Sequence, residues 1–467
     1  MRSLPIPPDL KDFARVLIDA GFRCYIVGGA VRDGLLGRPV SDYDAATDAP
    51  PEEVRRLFRR VIPTGIQHGT VTVLWKGRSI ETTTFRREAG YSDGRRPDRV
   101  EFGASLEEDL ERRDFTINAM ALEPLSGALV DPHDGRGDLA RRLVRAVGEA
   151  AERFDEDGLR PLRAIRFASQ LGFEIEAATL EAIPAALPRF SGVSAERLRV
   201  EFEKILLSDE PSRGLRLMEK TGMLAVALPE LAACRGVEQK GFHRFDVLDH
   251  LLASVDAAPK DPVLRLAALL HDLGKPATRV EGSDGVASFH RHEEVSARQA
   301  AELLRRLRFP NAVQDEVVHL VRQHMFFYEE GWTDAAVRRF LARVGPSKVE
   351  ALFALRLADA AGTVGAPVDP RSLDPLRRRI ERVIEAEEAL GLKDLAIGGA
   401  ELAAIGVPKG PAMGRLLAEL LETVLDDPEQ NTAERLLRIA RGIMPKYGIT
   451  PPLGGVNAGG QAAEEKP

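Results

Sequence analysis

Two aspartates, Asp42 and Asp44, stand two positions apart in the segment VSDYDAAT. In an extended strand, side chains at i and i+2 point to the same face, so the spacing predicts two neighbouring carboxylates. Carboxylate oxygens are ligands that Mg²⁺ prefers, and a pair of divalent metals can stabilise both the entering and the leaving oxygen in nucleotidyl transfer. An Asp-x-Asp pattern alone is also typical of an exposed turn, so the neighbouring sequence must distinguish a metal site from a turn.

The text upstream of the aspartates is GGAVRDGLLG, residues 28–37. Glycines allow a backbone to approach phosphates closely, and an arginine offers several donors to them. Together with Asp42 and Asp44, this text resembles the GGxVRDxLLG and DxD signature of the bacterial CCA-adding enzyme and poly(A) polymerase family. The resemblance implies that Asp42 and Asp44 are catalytic and hold Mg²⁺, and that Gly28, Gly29 and Arg32 bind the nucleotide. A P-loop is excluded because the sequence has no GxxxxGK[ST].

A second segment, RRDFTINAM at residues 112–120, resembles the part of this family that is associated with the sugar of the incoming nucleotide. The resemblance implies that Arg113, Asp114 and Asn118 bind the nucleotide. A basic pair before a helix is also typical of a solvated terminus.

A third segment, EDGLRPLRAIRF at residues 156–167, is similar to the EDxxRxxRAxRF helix of the same family. Pro161 suits a first helical turn, which predicts that Asp157 and Arg160 lie at the amino end and face one way. Cytosine and adenine both present an amino donor beside a ring-nitrogen acceptor, so one carboxylate and one guanidinium can accept them and mismatch uracil and guanine. The resemblance adds Arg163 and Arg166 to the nucleotide site. The alternative is a helix cap with a surface ion pair.

Two further stretches resemble parts of this family. SAERLRVEFEK, residues 194–204, is similar to a motif that braces the nucleotide-reading helix, and we assign it mainly to structure. The Gly- and charge-rich residues 86–101 correspond to an element thought to reshape the pocket as the base choice changes; the alternative is a plain exposed loop.

Histidines and aspartates at long spacing form another pattern within helical text. Their order resembles that of the HD phosphohydrolase superfamily, and a His-Asp pair, His271 and Asp272, ends an apolar helix. Imidazoles and carboxylates together can bind a divalent metal that activates water against a phosphoester. The resemblance implies His250, His271, Asp272 and Asp359 as ligands, with His292 and His324 at a second metal or a phosphate. The metal expected at this site is a divalent transition metal or Mg²⁺. The alternative to a metal site is a degenerate HD domain that has only a structural role.

The remaining features set the organisation of the chain. With 467 residues, it should hold about three folding units. Strand patterns at 24–27, 69–75 and 79–85 are followed from about residue 150 by helical text, which predicts an α+β protein. The expected domains are a mixed α/β nucleotidyltransferase head at 1–148, a nucleotide-reading helical neck at 149–235, an HD-type helical domain at 236–365, an RNA-binding helical tail at 366–449 and a disordered tail at 450–467.

Charge and cysteine content limit the partners and the compartment. The net charge is −7, so a polyanion must be held by local basic patches. Arg435, Arg438 and Arg441 recur every third residue, which predicts one basic helix face for RNA, although such runs are often only solvated. Two distant cysteines favour a reducing cytoplasm, and no apolar run is long enough to span a membrane. No protein partner is indicated.

The family resemblance implies a template-independent tRNA nucleotidyltransferase that adds or repairs the 3′-terminal CCA with CTP and ATP. Enzymes that add only A or only CC share these motifs and remain alternatives. A poly(A) polymerase is disfavoured because SIETTTFRR, residues 79–87, replaces a GRRF-type segment. From another class, an HD phosphohydrolase with an inert head is disfavoured by the intact aspartate pair, and so is a non-catalytic RNA-binding protein.

Overall fold

The computed structural model describes residues 6–89, 99–239, 245–282, 287–386 and 390–450. Within them the chain divides into two compact units. The first comprises the described residues up to 322 together with 357–367, and the second comprises 323–356 and the described residues from 368 onward. None of the described helices combines the length and apolarity that a bilayer span needs.

A seven-stranded mixed sheet forms the amino-terminal part of the first unit, with the strand order β3-β4-β5-β2-β1-β8-β9. Its neighbouring strands are antiparallel except β2 and β5. The strands of the described chain are β1 Cys24–Val27, β2 Tyr43–Thr47, β3 Val61–Gly65, β4 Thr70–Trp75, β5 Arg78–Thr84, β6 Arg86–Ala89, β7 Arg99–Phe102, β8 Ala121–Leu122, β9 Leu129–Val130, β10 Leu143–Val144, β11 Glu174–Ile175, β12 Arg279–Glu281 and β13 Ala287–Phe289.

The centre of the sheet positions the aspartates. In β4 the alternate residues Val71 and Val73 are fully buried, as a strand with one face on the core requires. Strand β2 lies between β1 and β5, and its register places Asp44 opposite Glu81 of β5. The strand begins at Tyr43, so Asp42 stands immediately before it and not inside it as the spacing predicted.

Helices surround and follow the sheet. Those of the first unit are α1 Pro8–Asp19, α2 Gly29–Leu35, α3 Pro51–Leu57, α4 Leu106–Glu111, α5 Gly135–Arg141, α6 Ala150–Glu156, α7 Arg160–Leu171, α8 Ala177–Glu181, α9 Ile183–Phe190, α10 Ala195–Leu206, α11 Pro211–Lys220, α12 Met223–Ala227, α13 Pro229–Ala232, α14 Val247–Ala257, α15 Pro262–Leu270, α16 Lys275–Thr278, α17 His292–Arg306 and α18 Asn311–Gln323. The predicted α+β class is confirmed. The prediction that strands cease after about residue 150 is wrong in detail, because β11, β12 and β13 are short ladders of two or three residues that give no alternation signal.

Helix α7 packs among several other helices of the first unit. Pro161 lies in its first turn, where the missing amide costs no hydrogen bond, and Gly172 ends it with a φ of 67°. Burial extends around much of the helix and includes the charged residues Arg160 and Arg166. It packs against α10 and α11, so polar groups on α7 must find partners within the protein.

The second unit is helical. Its helices are α19 Asp334–Val344, α20 Val349–Val364, α21 Asp374–Glu385, α22 Gly399–Ala404, α23 Pro411–Asp426 and α24 Ala433–Ile443; α20 contributes its residues from Leu357 onward to the first unit. Leu416 and Leu420 of α23 and Leu436 and Ala440 of α24 are fully buried at i, i+4 spacing, as expected for amphipathic helices on one core.

Part of the expected loop at 86–101 is a β-hairpin, in which Arg86 pairs with Phe102 and Ala89 with Arg99. Residues 90–98 lie outside the described residues, and so do residues 451–467 of the expected disordered tail.

Candidate functional site

One cavity of about 520 Å³ in the first unit gathers the predicted nucleotide-binding residues. All ten of them line it, together with Asp44. The lining is Gly28, Gly29, Arg32, Asp44, Arg112, Arg113, Asp114, Asn118, Asp157, Arg160, Arg163, Arg166, Phe167 and Lys204. Three segments that are far apart in sequence therefore meet around one volume.

The turn between β1 and α2 allows a close approach on one side of this cavity. Gly28 has a φ of 69°, a left-handed conformation that favours glycine. A Cβ built there would lie 3.2 Å from Nη1 of Arg113 and 3.9 Å from Oδ2 of Asp44. Glycine thus leaves room for a guanidinium and a carboxylate beside the backbone. Buried Asp109 accepts from Arg113 at 3.4 Å and holds it on this side of the cavity.

Three carboxylates occur on or beside two central strands of the sheet, β2 and β5. Glu81 stands opposite Asp44 across the parallel β2–β5 pair, and Asp42 precedes the same strand. Loss of solvent raises the pKa of Asp44, the charges of Glu81 and Asp42 add to this rise, and Arg113 opposes it. Carboxylate oxygens are the ligands that Mg²⁺ prefers, and Arg113 compensates only part of their charge, so the chemistry of these donors suits a divalent cation. The sequence analysis did not assign Glu81 to the site, although it predicted the strand at 79–85 that contains this residue.

Arg32 and the RRDFTINAM segment are joined by hydrogen bonds. Arg32 donates to both oxygens of Asp33 at 2.9 and 2.8 Å, and its Nη1 donates to Oδ1 of Asn118 at 2.7 Å. Asn118 in turn donates to Asp114 at 3.1 Å, and Asp114 accepts from Arg163 at 2.8 Å. These partners leave the arginines oriented around the cavity.

Asp114 stays ionised despite its burial. Desolvation alone would raise the pKa of Asp114, but Arg163, Asn118 and Arg160 outweigh it and hold that pKa well below the usual range. The ionised carboxylate therefore accepts hydrogen bonds that tie the RRDFTINAM segment to helix α7.

The predicted base-reading pair lies at the junction of α6 and α7. Arg160 is the first residue of α7, whereas Asp157 follows the end of α6 and lies outside both helices. Arg160 donates to Glu156 at 2.5 Å, and Asp157 accepts from Arg197 of α10 at 2.6 Å. Both side chains line the same cavity, as predicted, but each has a protein partner.

Helix α10 supports α7 through ion pairs and also supplies Lys204 to the cavity lining. Glu201 is 3% exposed and accepts from Arg166 at 2.7 Å, and Arg163 lies 3.5 Å from it. Burial lowers the pKa of Arg166 to about 10, although Glu201 opposes this shift. The guanidinium of Arg166 lies 3.4 Å from the ring centre of Phe167. Sequence reasoning singled out this motif without assigning Arg197 or Glu201 a site.

The histidine and aspartate pattern converges in the same unit at a different place. Nε2 of His250 lies 3.1 Å from Nε2 of His271, 3.4 Å from Asp272 and 3.3 Å from Asp359. Ligand atoms of His250, His271 and Asp272 all lie within 4.8 Å of one another. Two imidazole nitrogens that face each other beside two carboxylates fit a metal cation.

Hydrogen bonds orient this cluster. Nδ1 of His271 lies 2.9 Å from the carbonyl oxygen of Ala268, which leaves Nε2 to face the cluster. Burial alone would lower the pKa of His271, but Asp272 and Asp359 outweigh it and raise that pKa to about 10.

The two additional histidines are placed separately. Nε2 of His292 lies 3.0 Å from Asp272, so it adjoins the cluster. His324 is 3% exposed and belongs to the second unit, directly after α18. Lys275, which the sequence reasoning did not assign, lies 2.5 Å from Asp272 and donates to Gln239.

The predicted basic face lies on α24 of the second unit. Arg438 and Arg441 are exposed, whereas Arg435 donates to the carbonyl oxygen of Glu429. In contrast, Arg377 and Arg379 on α21 form ion pairs with Glu350 and Asp334.

Comparison with known proteins places these features in a class. The sequence matches the poly A polymerase head domain over residues 24–145, the probable RNA and SrmB-binding site of polymerase A over 172–235, and the HD domain over 243–361. The sheet, the cavity and the histidine cluster therefore define a nucleotidyltransferase joined to an HD-type helical domain.

Curated and solved relatives narrow the class. The chain is 37% identical to the CCA-adding enzyme of Limosilactobacillus fermentum, covering 90% of this chain and 93% of that protein, and 36% identical to that of Lactiplantibacillus plantarum, covering 92% and 95%. The crystal structure of the Bacillus stearothermophilus CCA-adding enzyme in complex with CTP matches with a TM-score of 0.71 at 32% identity, covering 94% of this chain and 100% of that one. The chain belongs to the CCA-adding enzyme family.

The buried pair Glu201–Arg166 generates a stability prediction. Glu201→Ala should lower the free energy of unfolding by about 3–5 kcal/mol, because it removes the carboxylate that pairs with the buried, charged Arg166. Glu203→Ala on the same helix is the matched control and should change it by less than about 0.5 kcal/mol, since that side chain is partly exposed. Urea denaturation measures both, and equal stabilities of the two variants would contradict the pairing.

Proposed function

We propose that this chain is a template-independent tRNA nucleotidyltransferase that adds or repairs the 3′-terminal CCA of tRNA with CTP and ATP. The observation that carries the proposal is the single cavity around which Asp44 and all ten predicted nucleotide-binding residues lie. Its curated relatives are named CCA-adding enzymes, and solved relatives include one with CTP and one with a primer tRNA and an incoming ATP analogue.

Asp42 and Asp44 are the proposed catalytic residues, and with Glu81 they would hold divalent metal, which we propose to be Mg²⁺. Bound there, the metal would neutralise charge on the reacting phosphate and favour ionisation of the attacking tRNA hydroxyl. Asp44 faces Arg113 across Gly28, so cationic and anionic groups adjoin where the triphosphate must lie. Gly28, Gly29 and Arg32 bind its phosphates through close backbone approach and guanidinium donors.

The other end of the cavity reads the sugar and the base. Arg113, Asp114 and Asn118 contact or support the sugar, and Asp157 and Arg160 read the base edge. A carboxylate accepts a hydrogen bond from the amino group that both cytosine and adenine carry, and a guanidinium donates one to the ring nitrogen of either base. Arg163 and Arg166 complete the wall from α7, and they are fixed by Asp114 and Glu201.

Restriction to A addition or to CC addition is not favoured, because relatives that match nine tenths of this chain are named CCA-adding enzymes. We also propose that the domain boundaries expected from the sequence, 1–148, 149–235, 236–365 and 366–449, separate the head, neck, HD domain and RNA-binding tail. The cytoplasm remains the proposed compartment because of the cysteine content.

A second activity, metal-dependent phosphoester hydrolysis, is supported by the histidine cluster. The proposed ligands of a divalent metal are His250, His271, Asp272 and Asp359. Nε2 of His250 and Nε2 of His271 lie 3.1 Å apart, and they lie 3.3 and 3.5 Å from Oδ1 of Asp359. Such a metal supplies an activated water for attack on phosphorus. His292 adjoins Asp272 and is proposed to contact a phosphate or a second metal.

Nucleotide addition is tested with tRNA that ends before CCA, offered CTP, ATP or both. We expect the length of the product to grow by three nucleotides only with both substrates. Asp44→Asn should abolish incorporation because it removes a negative ligand, while circular dichroism shows an intact fold. Incorporation by this variant above a few per cent would contradict the assignment, and growth by CC or A alone with both nucleotides would establish a restricted enzyme.

The hydrolytic site is tested with 2′,3′-cyclic phosphate substrates. His271→Ala should eliminate hydrolysis and lower the bound transition metal measured after equilibration, yet leave CCA addition unchanged, since the two sites use different residues. His290→Ala, which removes an exposed histidine close in sequence, is the control. Loss of both activities at an unchanged melting temperature would contradict independent sites.

The basic face of α24 is tested by salt dependence. Replacing Arg438 and Arg441 with Gln should weaken binding equally for tRNAs of different sequence and reduce the slope of log K against log salt by up to about two. Arg371→Gln is the control, because Asp369 already neutralises that arginine. An unchanged slope in the double variant would show that this face of α24 contacts solvent and not tRNA.

A further inference from the structure

Asp157 depends on α10 for its orientation. The residue lies between α6 and α7, where no regular helix restrains it, and its Oδ1 accepts from the amide of Leu159 at 3.0 Å. Its Oδ2 accepts from Nη2 of Arg197 at 2.6 Å. The side chains of Arg197 and Asp157 are 21% and 17% exposed, so this ion pair is largely withdrawn from water. One backbone amide and one guanidinium thus set the plane of the carboxylate.

Arg160 is held in a different way. Its donors go to Glu156 at 2.5 Å and to the carbonyl oxygens of Arg153 and Arg112, both at 3.1 Å. None of these partners lies on α10. The two members of the base-reading pair are therefore positioned by separate sets of contacts, and only Asp157 is tied to α10.

On α10, Arg197 and Glu201 are four residues apart, about one helical turn, and each pairs with a residue that lines the cavity. Glu201 holds Arg166, a member of α7, whereas Arg197 holds Asp157, which precedes α7. Arg197 thus fixes the carboxylate relative to the helix against which α7 packs most extensively. A side chain in this place can affect the base-reading group without lining the cavity itself.

The orientation of the Asp157 carboxylate affects how strongly the cavity distinguishes cytosine and adenine from uracil and guanine. A fixed carboxylate oxygen accepts the amino group of cytosine or adenine and repels the carbonyl oxygen that uracil or guanine presents at that position. A carboxylate free to rotate could move its oxygen away from that carbonyl, which reduces the penalty for the wrong base. Buried polar groups that cannot rearrange are what give such sites large selectivity.

We propose that Arg197 is a positioning residue that sets the base selectivity of the cavity by holding the carboxylate of Asp157. The inference rests on the proposed function, since it needs Asp157 to read the base. It assigns Arg197 no contact with the nucleotide, and it predicts that the residue acts wholly through Asp157.

The experiment uses the full-length protein and measures kcat/KM for CTP and UTP with tRNA ending before CCA, and for ATP and GTP with tRNA ending in CC. Arg197→Gln should lower the ratio of CTP to UTP, and of ATP to GTP, at least tenfold. Arg197→Lys keeps the charge and should restore part of the ratio. Inhibition by pyrophosphate, which reports the triphosphate side of the cavity, should stay within twofold. Arg199→Gln is the matched control, because that arginine of α10 donates to the carbonyl oxygen of Arg308.

A double-variant cycle separates positioning from general damage. If Arg197 acts through Asp157, then Arg197→Gln combined with Asp157→Ala should match the selectivity of Asp157→Ala alone within twofold. Wild-type selectivity in Arg197→Gln, or independent multiplication of the two effects, would overturn the proposal. A wild-type protein that incorporates neither CTP nor ATP would instead refute the proposed function, so the two failures are distinguishable.

Discussion

Compensation of charge within a confined volume is the constraint on which the nucleotide cavity depends. Arginines supplied by α2 and α7 would repel one another if they lacked partners, and burial would make their charges costly. Each is paired instead with a carboxylate or an amide, so that a continuous chain of contacts joins α2 to α7. In order, its members are Asp33, Arg32, Asn118, Asp114, Arg163, Glu201 and Arg166.

An aromatic ring packs against the arginines of this chain. The guanidinium carbons of Arg32, Arg163 and Arg166 lie 4.9, 5.5 and 3.4 Å from the ring centre of Phe167. A ring face attracts cations and has no hydrogen-bonding groups to satisfy, so it can bring guanidiniums together without consuming their donors. Phe115 packs edge-on against the same ring at 5.6 Å. The cavity is therefore preorganised before any anion enters, which lowers the cost of binding one.

The two candidate metal sites, in contrast to the arginine-rich cavity wall, bring carboxylates together. At the centre of the sheet, burial and the charges of Glu81 and Asp42 raise the pKa of Asp44, with Arg113 as an opposing cation. In the histidine cluster, imidazoles share the space with carboxylates, and the pKa of His271 is raised because the buried carboxylates outweigh desolvation. In both places the arrangement gains from a bound cation, and in both the ligands come from elements distant in sequence.

Local patterns determined a large part of this protein. The alternation in β4, the glycines before α2 and the proline that begins α7 are short-range signals, so the α+β class could be predicted from the sequence alone. The motif residues were likewise identifiable, because each motif combines several residue types at defined spacing. Tertiary structure decided which residues support them. Glu81 becomes a neighbour of Asp44 only through the parallel pairing of β2 with β5, and Arg197 reaches Asp157 only because α10 packs on α7. No local signal encodes such pairings, since strand order and helix packing arise from burial of surfaces far apart in the chain. Asp157 and Arg160 could thus be recognised in the sequence, whereas the partners that orient them could not.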